Sequence, residues 1–189
     1  GIANRRRLFE SLGQPGIATD ESKAATQAPP LLYDLTSLQR EANGRFGFSA
    51  RGTLGIAQAL YEKHKVLTYP RTDSRALPED YLETVNATLG MLRGGAPSAT
   101  AKRGKKPAPV NPELPYATFT NTILESGWVR PNKRVFNNEK ISDHFAIIPT
   151  LESPKYLSEP ESKIYDLVMK RFLAVFYPSA EFLNTTRIT

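Results

Sequence analysis

The segment between Ser158 and Pro178 constrains the fold more than any other part of the sequence. It opens with the spacing of a capping box, Ser158-Glu159-Pro160-Glu161, and it closes at a proline, which cannot continue a helix. Between these limits apolar side chains recur at helical spacing, namely Ile164, Tyr165, Leu167, Val168, Phe172, Val175 and Phe176. The segment therefore predicts a long helix whose apolar face is buried against other elements.

Two consecutive helices are predicted earlier in the chain. The first begins at Asp34 or Thr36, both of which are favoured N-cap residues, and ends at Gly44. The second begins after Ser49 and runs to about Lys65. A short connection that contains glycine joins them, which resembles a helix-turn-helix. The pattern alone favours the other possibility, a simple helical hairpin.

The remaining elements complete a fold that is mainly α with a minor β part. Further helices are predicted over 77–89 and 116–127. The segments 17–27 and 182–189 can each form a strand, and a shorter β-prone segment lies at 66–69. We therefore expect a helical domain with strands at the two ends of the chain.

Composition narrows the classes of function. The net charge of +6 favours an anionic partner, most often nucleic acid. The absence of cysteine excludes disulfides and thiolate metal sites, and two histidines are too few for a multi-histidine metal site. The absence of cysteine also agrees with an intracellular location. No signal peptide and no apolar run long enough to span a membrane are found. Gly1 in place of an initiating methionine suggests a piece of a longer protein.

The motif from Leu67 to Ser74, with the sequence LTYPRTDS, carries the chemistry of greatest interest. Tyr69 is a residue type that can act as a covalent nucleophile, and Arg71 offers a planar fork of donors that matches phosphate oxygens. Together they suggest phosphoryl transfer through a phosphotyrosyl intermediate. The same residues also fit a buried tyrosine at the end of a strand, followed by a helix cap.

Two further segments carry charge or polar chemistry. The segment 94–112 is rich in small residues and proline, and its cations Lys102, Arg103, Lys105 and Lys106 can contact a nucleic-acid backbone; a solvated tether fits equally well. Farther along, Asp143-His144 places an imidazole next to an acid. Such a histidine can hydrogen-bond a phosphate, or it can hold a loop together.

As a whole, the sequence resembles the central part of a type IA DNA topoisomerase, closest to the bacterial topoisomerase III branch. The resemblance covers about residues 25–189 in the right order, and no single motif would carry it alone. The matching segments are Leu35–Asn43, Phe46–Ala50, Ala57–Glu62, Leu67–Ser74, Ser142–Thr150 and Ile164–Ala174.

The resemblance implies a reaction and roles for named residues. In this family a tyrosine attacks a phosphodiester of single-stranded DNA, keeps the 5′-phosphate and releases a 3′-hydroxyl; another strand passes, and the hydroxyl reverses the attack without ATP. Tyr69 matches the nucleophile, Arg71 the arginine that positions the scissile phosphate, and His144 a histidine that assists there. Thr72, Asp73 and Ser74 are expected to fix the loop and its contacts with DNA. The segment with Lys102, Arg103, Lys105 and Lys106 matches no motif of the family, so its expected contact with DNA rests on its charge alone.

The resemblance also implies what this chain lacks. The family's acidic domain, which binds Mg²⁺ in the full-length enzyme, matches nothing here, so the fragment is expected to hold no cofactor and to be inactive alone. Residues 34–180 would form the helical catalytic-tyrosine domain, which resembles helix-turn-helix or CAP-like folds. Residues 1–33 and 181–189 would supply an N-terminal arm and partial strands of the β hinge domain. Single-stranded DNA and the remaining domains of the enzyme are the expected partners, with no membrane, in the cytoplasm of a bacterium at the nucleoid.

Two other hypotheses compete with this one. The chain can be a nucleic-acid-binding helix-turn-helix module without catalysis, or a scaffold domain in which Tyr69 is packed in the core. A Tyr69 that is fully buried, or that lies far from His144, would favour these alternatives.

Overall fold

The computed structural model describes residues 19–94 and 116–188. Its regular elements, in chain order, are β1 (Thr19–Gln27), α1 (Leu35–Phe46), α2 (Ala50–Glu62), α3 (Leu82–Leu92), α4 (Ala117–Glu125), α5 (Glu159–Ala174) and β2 (Ala180–Ile188). Short 3₁₀ turns lie at Glu79–Tyr81 and Asn138–Lys140. The prediction of a mainly α fold with a minor β part is confirmed. No helix within the described residues has both the length and the apolar character needed to cross a membrane.

The described residues fall into two compact units. One unit contains β1 and β2, which pair antiparallel with Thr19 opposite Ile188 and Gln27 opposite Ala180. The other unit lies between Pro29 and Pro178 and contains all of the helices named above.

Local capping chemistry sets the limits of α1. The Asp34 side chain accepts a hydrogen bond from the Ser37 amide at 2.7 Å, and the Ser37 hydroxyl accepts one from the Asp34 amide at 3.2 Å. The helix ends at Gly47, whose φ of 69° is left-handed and is tolerated best by glycine. Gly44, the predicted end, lies inside the helix, so that prediction is wrong by about one turn.

Helix α2 begins where it was predicted to begin. The Ser49 hydroxyl accepts a hydrogen bond from the Gly52 amide at 3.0 Å. The helix ends at Glu62, earlier than predicted, because Lys65 takes a left-handed conformation with φ of 58°. This turn lets the Val66 amide donate to the Leu60 carbonyl at 2.9 Å and sends the chain toward Tyr69.

Helix α5 joins two hydrophobic clusters into the core of the helical unit. Its N-terminus has the predicted capping box between Ser158 and Glu161. One cluster receives the α5 residues Ile164, Tyr165, Leu167, Val168 and Met169, and the other receives Phe172 and Leu173. Full burial of an aliphatic or aromatic side chain contributes about 1.5–3 kcal/mol, so this helix organises the packing on which the loops rest.

Candidate active site

Paired backbone segments hold the loop that carries Tyr69. The Thr68 amide donates to the Ile148 carbonyl, and the Thr150 amide donates to the Val66 carbonyl, both at 3.0 Å. The Thr68 hydroxyl donates to the Ala146 carbonyl at 3.0 Å and accepts from the Ile148 amide at 2.9 Å. The β-prone segment 66–69 thus forms an isolated bridge rather than a strand of a sheet, and it fixes the Tyr69 loop beside the segment that follows His144.

The Tyr69 side chain packs between two other rings. Its ring centroid lies 4.3 Å from that of His144, with the planes inclined at 48°. On another side, the ring of Tyr61 meets Tyr69 edge-on at 5.4 Å. Tyr69 is half-buried and His144 is exposed. A tyrosine in this setting is held in place and still open to a ligand, unlike one packed in the core.

Arg71 presents its guanidinium next to the same loop. The side chain is exposed. With the Gln58 amide oriented to satisfy its hydrogen bonds, the amide oxygen accepts from the Nε and from one terminal nitrogen of Arg71, both at 3.3 Å. Among the described residues the fork has this one neutral acceptor, which leaves its other donors available for an anionic oxygen.

The hydroxyl groups of Thr72 and Ser74 form hydrogen bonds with the backbone of this chain. Both residues are buried. The Thr72 hydroxyl donates to the His144 carbonyl at 2.8 Å and accepts from the Ser74 amide at 3.1 Å. The Ser74 hydroxyl donates to the Lys140 carbonyl at 2.8 Å and accepts from the Ala76 amide at 3.2 Å. These bonds give both hydroxyls a role in tying the Tyr69 loop to the segment that contains Lys140 and His144.

The end of the loop is also fastened to α1. The Arg75 Nε donates to Asp34 at 3.0 Å, and the Leu35 amide donates to the Thr72 carbonyl at 3.0 Å. Burial alone would raise the pKa of Asp34, but hydrogen bonds from Ser37 and Arg75 outweigh it and hold that pKa below its usual value. The Asp34 carboxylate therefore caps α1 and also binds Arg75 at the end of the loop.

A polar cluster around the buried Tyr33 ring anchors the neighbouring backbone. Tyr33 and Arg171 both donate to the carboxylate of Glu41, and the Arg171 guanidinium lies 4.3 Å from the centroid of the Tyr33 ring. Burial and the hydrogen bond to Glu41 raise the pKa of the Tyr33 phenol well above its usual range. The Tyr33 carbonyl accepts from the Ile147 amide at 2.8 Å, so this cluster supports the same segment that pairs with the Tyr69 loop.

The acids near the loop do not fit a magnesium site. Within residues 19–94 and 116–188 no three of the histidine and acidic side chains come together as metal ligands would. Asp73 accepts a hydrogen bond from Ser142 at 3.3 Å, and Asp143 and Glu62 are exposed. Mg²⁺ needs oxygen ligands in near-octahedral geometry, which these residues do not supply.

The structure brings some of the predicted site residues together, and others lie outside the part of the chain that it describes. It brings Tyr69 and His144 into contact and holds Arg71 on the same loop. The basic residues Lys102, Arg103, Lys105 and Lys106, and most of the predicted 94–112 loop, lie outside the described residues.

Two side chains at the site were missed in the sequence. Gln58 and Tyr61 lie one turn apart on α2, and they contact Arg71 and Tyr69 respectively. Their spacing predicted only a helix face. They could have been found because α2 ends only a few residues before Leu67, so its last turns must lie near the Tyr69 motif.

Comparison with known proteins identifies relatives of the chain. A family model described as DNA topoisomerase matches residues 3–189. DNA topoisomerase 3 of Bacillus licheniformis is 44% identical over 176 residues, which cover 92% of this chain and 22% of that protein. DNA topoisomerase 3 of Bacillus subtilis is 41% identical over 184 residues, with 95% and 22% covered. The chain therefore spans about a fifth of the length of these curated relatives.

A solved structure has the same fold over most of the chain. Full-length topoisomerase I from Thermotoga maritima superposes with a TM-score of 0.56 and 25% sequence identity, covering 95% of this chain and 26% of that one. Similarity in sequence and in fold thus points to the same family.

Proposed function

Because the chain belongs to the type IA DNA topoisomerase family, as its resemblance indicated, we propose that it carries the nucleophile and the phosphate-binding arginine of the whole enzyme. The whole enzyme would cut one strand of DNA transiently, let another strand pass, and reseal the cut without ATP. The contact between Tyr69 and His144 is the single observation that carries this proposal.

The proposed step is a transesterification. The Tyr69 oxygen loses its proton and attacks the phosphorus of a phosphodiester in single-stranded DNA. A bond forms between that oxygen and phosphorus, and the bond from phosphorus to the 3′-oxygen breaks. The 3′-oxygen leaves as a hydroxyl after taking up a proton. One phosphodiester is exchanged for another, so the reverse attack by the 3′-hydroxyl restores the strand.

Arg71 and His144 would act on the phosphate rather than on the tyrosine. The guanidinium fork can bind two phosphate oxygens at once and stabilise the charge that grows on them during attack. His144 is exposed beside the Tyr69 ring, from where an imidazole N–H can donate to the same phosphate. Thr72 and Ser74 would act as positioning residues through the hydrogen bonds described above.

The remaining parts of the enzyme would complete the site. We propose that the helical unit between Pro29 and Pro178 is the catalytic-tyrosine domain, and that β1 and β2 belong to the β hinge domain. Mg²⁺ would be held by acidic residues of another domain, since the described residues of this chain do not fit it. Such an enzyme would work in the cytoplasm of a bacterium, at the nucleoid.

Reconstitution tests the proposal. The chain is mixed with the acidic metal-binding domain of a related DNA topoisomerase 3, magnesium and labelled single-stranded DNA, and the products are separated on a denaturing gel. We expect a covalent adduct with the wild-type chain and none with Tyr69→Phe. An adduct that survives Tyr69→Phe would refute the assignment of the nucleophile.

Binding by the chain alone separates catalysis from simple DNA binding. We expect weak binding of single-stranded DNA that weakens as salt increases, since phosphate contacts release counterions. A helix-turn-helix module without catalysis would bind in the same way but form no adduct in the reconstituted mixture. Affinity that is unchanged between low and high salt would contradict both.

A further inference from the structure

A cavity of about 620 Å³ opens beside the Tyr69 ring. Its volume is within the range of roughly 300–1,000 Å³ that small-molecule sites occupy. Together with Tyr69 and Glu62, the residues that line it are Tyr61, Lys65, Leu67, Thr68, Phe145 and Thr150. We infer that this cavity binds a nucleobase of single-stranded DNA, namely the base of the nucleotide whose 5′-phosphate is joined to Tyr69. The inference rests on the function proposed above.

The walls of the cavity are suited to stacking. Tyr61 is 37% exposed although it is a large aromatic residue, and its edge-on contact with Tyr69 leaves part of its ring open to the cavity. Phe145 is half-buried, and its position is fixed by Tyr81, whose ring centroid lies 4.8 Å away. Stacking on aromatic side chains binds single-stranded DNA with little regard to sequence, because every base has a π-face.

The rim of the cavity carries a cation in an unusual backbone conformation. Lys65 has φ of 58°, the left-handed turn in which α2 ends. The Thr150 hydroxyl donates to the Lys65 carbonyl at 2.6 Å and fixes this turn. An exposed ammonium group held there can contact the phosphates on either side of a bound base.

The position of the cavity selects one nucleotide. Tyr69 both lines the cavity and would hold the 5′-phosphate after attack, so the sugar and base of that nucleotide are the parts of DNA nearest to it. The Thr68 hydroxyl already donates to the Ala146 carbonyl and accepts from the Ile148 amide, so its proton is not free to donate to a base. The Glu62 carboxylate that lines the cavity can accept from an exocyclic amino group, which favours adenine, cytosine or guanine over thymine.

The test uses the full chain and a short single strand that places its first nucleotide at Tyr69. The probe is a 5′-phosphorylated hexanucleotide with adenine first, thymines after it, and a fluorophore at the 3′ end. Its affinity is measured by fluorescence anisotropy at low salt. A second strand lacks the first base but keeps its sugar and phosphate. We expect loss of this base to weaken binding to the wild-type chain about tenfold, because the stacking of the base on the aromatic side chains of the cavity is lost.

Variants then locate the base. Tyr61→Leu should weaken binding of the intact strand about tenfold and make binding insensitive to loss of the base, whereas Tyr61→Phe keeps the ring and the sensitivity. Lys65→Asn, which tolerates the left-handed turn, should weaken both strands alike. Tyr156→Leu is the matched control, since Tyr156 is 90% exposed and does not line the cavity. Far-ultraviolet circular dichroism confirms that each variant is folded.

The outcomes separate this inference from the proposed function. Equal binding of both strands by the wild-type chain, or an equal effect of base loss in wild type and Tyr61→Leu, would overturn the cavity assignment. A third strand without the 5′-phosphate tests the proposed function. If its removal changes nothing, the phosphate site at Tyr69 and Arg71 is wrong, whatever the base does. Absence of binding by all strands would overturn both.

Discussion

Replacing Thr72 by valine should uncouple the Tyr69 loop from the His144 segment. The change keeps the shape of a buried side chain but removes a hydroxyl that donates to the His144 carbonyl at 2.8 Å and accepts from the Ser74 amide at 3.1 Å. A neutral hydrogen bond contributes about 0.5–1.5 kcal/mol net, so losing two should lower the free energy of unfolding by about 1–3 kcal/mol. Because the His144 backbone loses its tie to the loop, adduct formation in the reconstituted mixture should also slow.

Thr72→Ser is the matched control for this prediction. Serine keeps the hydroxyl and loses one methyl group, which costs about 0.8 kcal/mol of burial. Urea unfolding followed by circular dichroism gives the free energies, and denaturing gels give the adduct rate. If Thr72→Val unfolds like the wild-type chain, or if Thr72→Ser slows adduct formation as much as Thr72→Val does, the Thr72 hydroxyl does not have this role.

Three further predictions concern the helices and the arginine of the loop. Gly44→Ala should raise the free energy of unfolding by up to about 1 kcal/mol in urea unfolding, because Gly44 lies in a helix with open space around it. Gly47→Ala should lower it by about 1–2 kcal/mol, because Gly47 has a left-handed φ of 69°. A change of the same sign in both variants would contradict this. Glu161→Ala should destabilise the chain at pH 7, because hydrogen bonds from the hydroxyl and amide of Ser158 lower the pKa of Glu161 to about 2 from its usual 4.5. That stabilisation is complete above pH 4.5 and is lost as the pH falls toward 2, so a difference from wild type that persists at pH 2 would rule it out. Arg71→Lys should slow adduct formation about 100-fold, because an ammonium cannot bind two phosphate oxygens as a fork does, and an unchanged rate in a time course would exclude that role.

The helix starts were predictable because capping is local. The side chains of Ser49 and Ser158 cap their helices by hydrogen bonds to residues three positions later, so each pair can be recognised in the sequence. Helix ends were less predictable. Gly44 and Gly47 are both glycines near the end of α1, and only the path of the chain into α2 decides which of them takes the left-handed turn.

The site was predictable only in part. Tyr69 and Arg71 stand in one motif, so their local chemistry could be read directly, but that chemistry fitted a structural role equally well. The proximity of His144 to Tyr69 came from the family resemblance, since nothing local relates residues so far apart in sequence. The contact between Gln58 and Arg71 depends on where α2 lies against the loop, which is a property of packing rather than of spacing.

Identifying the residue that carries the DNA shows which side chain is the nucleophile. The adduct formed in the reconstituted mixture is digested with a nuclease and a protease, and the peptide that keeps a nucleotide is sequenced by mass spectrometry. The account predicts a 5′-phosphate ester on Tyr69 and none on Tyr61, although the two rings lie 5.4 Å apart. A nucleotide on Tyr61, or on any residue other than Tyr69, would contradict it.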